Sequence, residues 1–193
     1  MEGLMMHYEL TLPQILQRMR SIFPDKEIVS QISGRRHRYT YGEFYARVVR
    51  LANVLRTLGV KPGDRVATFA WNSYRHMELY YAIPAVGAVL HTLNVRLSAE
   101  QLGYIVNHAQ DSLIFADTSL LAPLENLRKE LKSVRGYVLM DDTGGLPKTS
   151  LSPTHVYEQL MAAASDEEHF ATLHEEDACG LCYTSGTTGH PKG

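Results

Sequence analysis

Apolar positions along the chain alternate between a helical and a strand period. LPQILQRMRSIF places Leu12, Ile15, Leu16, Met19, Ile22 and Phe23 on one helical face, with Thr11 as N-cap and Pro13 in the first turn. EIVSQI reads as a strand, and Ser33-Gly34 turns it into a hairpin partner at His37, Arg38, Tyr39 and Thr40. Thr40 and Glu43 have capping-box spacing and open a long helix. Its buried stripe is Phe44, Val48, Leu51, Leu55 and Leu58, and Gly59 stands at the C-cap.

From there strands and helices take turns. The spacing predicts strands over 65–70, 88–92, 112–116 and 137–140. Between them it predicts a helix capped by Asn72 or Ser73, a helix over 98–109 with a Ser98/Gln101 capping pair, and a helix over 119–132. Residues 141–153, rich in Gly, Pro, Ser and Thr, read as a surface connection. A helix over 156–164, a solvated acidic loop at SDEEH and a short strand over 178–182 complete the pattern. Such alternation implies an α/β fold, a parallel sheet built from βαβ units and covered on both faces.

Composition narrows the function. The chain has 193 residues, 19 basic and 21 acidic groups, 45% hydrophobic and 21% charged residues, all ordinary for a globular domain. A net charge of −2 carries no footprint for nucleic acid, so nucleic acid is not an expected partner. Two cysteines cannot staple a domain of this size, which argues for a reducing compartment. Glu2 stands where a signal peptide wants positive charge. The longest apolar run, 79–90, is broken by Pro84 and falls short of the roughly 20 residues a membrane span needs. The expectation is a cytoplasmic protein without a transmembrane segment, with peripheral membrane contact left open.

Chemistry concentrates in YTSGTTGHPKG, after the last short strand. Gly186, Gly189 and Gly193 free the backbone to turn its amides toward an anion. Thr184, Ser185, Thr187 and Thr188 add hydroxyls that rotate to follow phosphate oxygens, and Lys192 adds a compact positive charge. A Walker loop is excluded, because Pro191 precedes the lysine and Gly193 follows it. The bare alternative, a polar turn, explains neither the density of hydroxyls nor the closing lysine.

This segment resembles the phosphate-binding signature of the adenylate-forming enzymes: acyl-CoA synthetases, adenylation domains and luciferases. With independent positions at average usage, its matching residues would arise by chance on the order of 10⁻⁹ per chain. The likeness extends upstream through Thr40-Tyr41-Gly42-Glu43-Phe44 and Lys61-Pro62-Gly63-Asp64-Arg65-Val66. AVGAVLHTLN at 85–94 and QLGYIVNHA at 101–109 are similar to the medium- and long-chain fatty acyl-CoA synthetase branch. The resemblance implies that residues 1–193 are the N-terminal portion of an AMP-binding domain, truncated after the phosphate loop. It implies an AMP-forming acid–thiol ligase using ATP, Mg²⁺ and coenzyme A on a carboxylic acid, foremost a fatty acid. It assigns Thr184, Ser185, Gly186, Thr187, Thr188, Gly189 and Lys192 to the ATP phosphates. The family's catalytic lysine and its adenine, acyl and coenzyme A sites fall beyond residue 193, no metal ligand is assigned, and the chain alone is expected to be inactive. An aryl- or short-acid CoA ligase, or a non-catalytic nucleotide-binding module, remain as alternatives.

Other candidates read as structural. Cys179 and Cys182 spell CxxC, but on a strand they face opposite ways and no second pair exists, so buried structural thiols are expected. His91 and His108 lack a partner nearby in sequence and read as ordinary hydrogen-bonded histidines. Tyr80 and Tyr81 read as core, and Arg35-Arg36-His37-Arg38 as a solvated turn.

Overall fold

Backbone pairing gathers the strands into a hairpin and a parallel sheet. The computed structural model describes residues 3–4, 8–142, 147–184 and 191–193. Helix α1 (Leu12–Ile22) has Pro13 in its first turn, although the Thr11 side chain makes no capping bond. Only Leu16 and Met19 of its apolar face are buried, while Ile15, Ile22 and Phe23 are half exposed. Strands β1 (Glu27–Ile32) and β2 (Arg35–Thr40) pair antiparallel, so the hairpin arm starts two residues earlier than its pattern predicts.

Helix α2 (Tyr41–Thr57) begins with the predicted capping box. Glu43 N–H donates to Thr40 Oγ1 at 3.2 Å, and Thr40 N–H donates to Glu43 Oε2 at 2.7 Å. Beyond its end, Gly59 takes a φ of +75°, and Val60 N–H then reaches the Leu55 carbonyl. A side chain disfavours that backbone, which is why glycine stands there.

The sheet contains β3 (Arg65–Phe69), β4 (Val89–Thr92), β5 (Leu113–Asp117), β6 (Tyr137–Met140), β7 (Thr154–Val156) and β8 (Gly180–Leu181). Among the described residues its order is β7-β6-β5-β3-β4-β8, with every neighbouring pair parallel. Strand parity splits the core. Val66, Leu113, Phe115, Val138 and Met140 join the cluster under α1, α2, α3 (Tyr74–Ala85) and α6 (Tyr157–Ala163). Ala67, Phe69, Ile114, Ala116 and Leu139 join the cluster under α4 (Ala99–Ala109) and α5 (Leu121–Leu127). The predicted sheet covered on both faces is what forms.

Several elements differ from their pattern. The helix expected over 119–132 is a 3₁₀ turn at Thr118–Leu120 followed by α5, because the Leu127 carbonyl accepts from both Glu130 and Leu131 and tucks Leu131 into the core. β7 shows no alternation and is recognisable only by its pairing with β6. Tyr80 is 45% exposed rather than core, since α3 turns Leu79, Ala82 and Ile83 inward and Tyr80 away. The acidic segment is not wholly free in solvent: Glu168 accepts hydrogen bonds from the Tyr45 hydroxyl and from Gln17. Arg35, Arg36 and Arg38 are exposed as expected, but His37 turns inward and stacks on Tyr74 at 3.8 Å.

A charge network invisible to periodicity ties the helices together. Glu78 on α3 is fully buried. Arg47 Nε donates to its Oε1 at 2.6 Å, and the Tyr157 hydroxyl donates to its Oε2 at 2.6 Å. Arg47 Nη2 also donates to Glu158 at 3.1 Å. Arg75 bridges onward, from Nε to Glu158 Oε1 at 2.9 Å and from Nη1 to Asp142 Oδ1 at 2.5 Å. Burial raises the Glu78 carboxyl while Arg47 pulls it down. Burial also raises Glu158, but there Arg47 and Arg75 prevail and its value is lowered.

Removing one partner strands the other. Arg47→Ala leaves Glu78 charged, buried and poorly paired, and should cost about 3–5 kcal/mol of stability. Replacing both with leucine, in Arg47→Leu/Glu78→Leu, should cost far less, because no uncompensated charge remains. Urea unfolding of the two variants measures the difference, and equal losses would contradict the assignment.

Candidate functional site

Parallel α/β sheets present their ligand sites at the carboxyl ends of the strands, where successive connections leave toward opposite faces. Here α3, which follows β3, packs on one face, and α4, which follows β4, packs on the other. Two features occupy that edge.

The first is a cleft of about 620 Å³ over the ends of β3, β5 and β6, lined among others by Trp71, Asn72, Asp117, Ser119, Asp141 and Asp142. Trp71 N–H donates to Asp117 Oδ2 at 2.6 Å, and its indole donates to Ser119 Oγ at 3.1 Å. Burial pushes the Asp117 carboxyl up to about 6, against the pull of the Trp71 amide. Of the three carboxylates in this wall, Asp142 is paired with Arg75 at 2.5 Å.

The second is the segment after β8. Gly180 and Leu181 pair with Leu90 and His91 of β4, and Leu90 N–H donates to the Cys179 carbonyl at 3.1 Å. The chain therefore leaves at the carboxyl edge. Thr184 and Lys192 then close an antiparallel bridge, Thr184 N–H to Lys192 O at 2.9 Å and Lys192 N–H to Thr184 O at 3.2 Å. The structure thus brings together Thr184 and Lys192, the two flanks of the signature segment. Both Thr184 and Lys192 are exposed, whereas Pro191 between loop and bridge is buried. Ser185, Gly186, Thr187, Thr188 and Gly189, the other residues expected at the phosphates, lie outside the described residues.

The Thr184 and Lys192 amides are engaged in the bridge and the Thr184 hydroxyl donates to the Lys192 carbonyl at 3.4 Å, so the exposed Lys192 ammonium is the group at the described loop ends that suits an anion. Among the described residues no group of three His, Cys, Asp or Glu side chains is placed to hold a metal ion. Among these residues, too, no helix is long and apolar enough to cross a membrane.

Beneath the loop lie partners that sequence distance concealed. His91, on β4, finds its carboxylate in Asp111, twenty positions away, with Nδ1 at 2.8 and 2.9 Å from the two oxygens. His108 finds Tyr183, the first residue of the loop segment, at 2.5 Å. Both are hydrogen-bonded histidines, as expected, but each has a defined partner. The cysteines depart from expectation: Cys179 and Cys182 are exposed. Among the described residues β8 is two residues long and pairs with β4 on one side, which leaves both thiols uncovered.

Comparison with known proteins points the same way. The sequence profile described as "AMP-binding enzyme" matches residues 16–193. A long-chain-fatty-acid–CoA ligase of Thermus thermophilus is 45% identical over 98% of this chain, which covers 34% of that protein. A 3-methylmercaptopropionyl-CoA ligase of Ruegeria lacuscaerulensis is 38% identical over the whole chain, covering 36% of its own length. The fold matches the crystal structure of the anthranilate CoA ligase AuaEII in complex with anthranoyl-AMP, with a TM-score of 0.83 at 22% identity over 96% of this chain and 34% of that one. The chain thus spans about a third of the length of the curated relatives it matches.

The raised Asp117 carboxyl makes a prediction about pH. Its folded value of about 6 exceeds the ordinary aspartate value, about 3.9, so between them the folded state holds a proton that the unfolded state releases. Stability should therefore fall as pH rises from about 4 to about 6 and level off above it. Asp117→Asn, which still accepts from Trp71, should remove that portion of the slope in urea unfolding measured across the window. An unchanged slope would show that Asp117 is not its source.

Proposed function

The chain belongs to the family of AMP-binding enzymes, and we propose that the whole protein activates a carboxylic acid with ATP and passes the acyl group to coenzyme A. The observation that carries this reading is the Thr184–Lys192 bridge at the sheet's carboxyl edge, which flanks a sequence resembling the adenylate-forming signature. In the proposed reaction a carboxylate oxygen attacks the α-phosphorus of ATP, pyrophosphate departs with the bridging electrons, and the acyl-adenylate is taken by the thiol of coenzyme A. Negative charge grows on the departing pyrophosphate, so fixed donors beside it speed this step. Lys192 supplies the charge and Thr184 a hydroxyl. Ser185, Gly186, Thr187, Thr188 and Gly189 complete the proposed cradle.

Similarity to ligases named for long-chain fatty acids and for 3-methylmercaptopropionate supports an aliphatic acid, and we place a fatty acid first. The assay is carboxylate-dependent exchange of pyrophosphate into ATP by the full-length protein, run across alkanoic and aromatic acids. Preference for an aromatic acid would displace the fatty-acid reading, and absence of exchange with every acid would refute the activity.

Lys192→Ala in the full-length protein should slow adenylate formation by about 10²–10³, or about 2.7–4 kcal/mol, the usual cost of one such donor. Thioester formation from preformed acyl-adenylate should be spared, because the pyrophosphate has by then left. Single-turnover measurement of each half-reaction decides it, and equal slowing of both would sink the assignment. The chain of 193 residues by itself should show no exchange above background. A phosphate loop cannot alone hold ATP and carboxylate in line, and such positioning is worth about 7–11 kcal/mol.

A further inference from the structure

Tyr183 stands where the sheet hands over to the loop, and its ring is held from several sides. The His91 ring on β4 lies 5.2 Å away between centroids. His91 Nδ1–H donates to Asp111, and both side chains are sealed from solvent. From α4, His108 Nδ1 shares a hydrogen bond with the Tyr183 hydroxyl and stacks on Tyr104 at 5.3 Å. Gly193 lies against the ring itself: a Cβ there would fall 2.5 Å from Tyr183 Cε2 and 2.8 Å from Cδ2 and Cζ. One ring thus directly precedes the first bridging residue, Thr184, and abuts the residue that follows the second, Lys192.

We infer that Tyr183 is a positioning residue for the phosphate loop, its ring fixing both loop ends against β4 and α4 so that the donors meet the ATP phosphates in register. This rests on the reading of the loop as a phosphate site. The Thr184–Lys192 bridge sets the spacing of the loop ends but not their place over the sheet. The ring supplies that second point of attachment. His91 Nε2 is buried without a hydrogen-bond partner among the described residues. An unpaired buried acceptor lowers stability, and an apolar pair would fill the same space without that cost. What the His91–Asp111 pair contributes is therefore placement of the ring it supports. Donors displaced by about 1 Å can cost about 10²-fold in rate, so an anchor of this kind is read out in the step the loop serves.

The test uses the full-length protein with its two half-reactions measured apart. Tyr183→Ala should reduce carboxylate-dependent ATP–pyrophosphate exchange by about 10- to 100-fold and raise the KM for ATP, leaving thioester formation from preformed acyl-adenylate within about twofold. Tyr183→Phe keeps the ring and should restore most of the exchange. Gly193→Ala should slow exchange when the ring is present, and add little in the Tyr183→Ala background, where nothing remains to collide. If Tyr183→Ala does not fold, Tyr183→Leu takes its place in the same cycle. Equal loss in both half-reactions, or an undiminished Gly193→Ala effect without the ring, would overturn the inference while leaving the activity intact. Failure of the unaltered protein to exchange pyrophosphate would instead remove the underlying reading and this inference with it.

Discussion

A carboxylate with no access to water constrains this chain more than any other group. Glu78 is tolerated in the core only because Arg47 and Tyr157 satisfy both of its oxygens. Those partners come from α2 and α6, elements more than a hundred residues apart. Arg47 is held in turn by Glu158, and Glu158 by Arg75, which reaches the segment after β6 through Asp142. Such networks add little net stability, since desolvation offsets most of the attraction. They do penalise alternatives: any packing that separates one member leaves a buried charge unpaired. Three of the four helices on that face, α2, α3 and α6, are thereby held in one arrangement over the sheet.

Around this knot the sheet divides its labour. Its two faces are apolar and bury helices, so chemistry is left to the carboxyl edge. There the charges are sorted. Asp117, Asp141 and Asp142 line the cleft over β3, β5 and β6, while Lys192 and Thr184 lie beyond β4 at the end of β8. The same β4 that receives β8 carries His91, so the strand that aligns the loop also supports Tyr183.

Much of the fold was legible in the chain itself. Capping pairs at Thr40/Glu43 and Ser98/Gln101 formed where their spacing placed them, because such contacts span three residues and need no tertiary partner. The parallel strands announced themselves as short apolar runs between helical periods. The phosphate signature is likewise local, its glycines, hydroxyls and lysine contiguous. Long-range pairings were not legible. Nothing in the neighbourhood of His91 indicates Asp111, and nothing around Arg47 indicates Glu78, because these meet only after strands cross over in the order β5-β3-β4.

The cysteines and Tyr80 show the same limit from the other side. Apolar neighbours suggested buried thiols, yet burial depends on what covers a strand, and among the described residues β8 is paired on one side. Residue type and spacing determined most of the segments that become helix or strand and the motif that resembles a phosphate-binding signature, because backbone propensity, capping and contiguous motifs act within a few residues. Tertiary structure alone decided which charges are paired, which side chains lose their water, and what grips the base of that loop. Those outcomes depend on distances between segments far apart in sequence, which only chain folding sets.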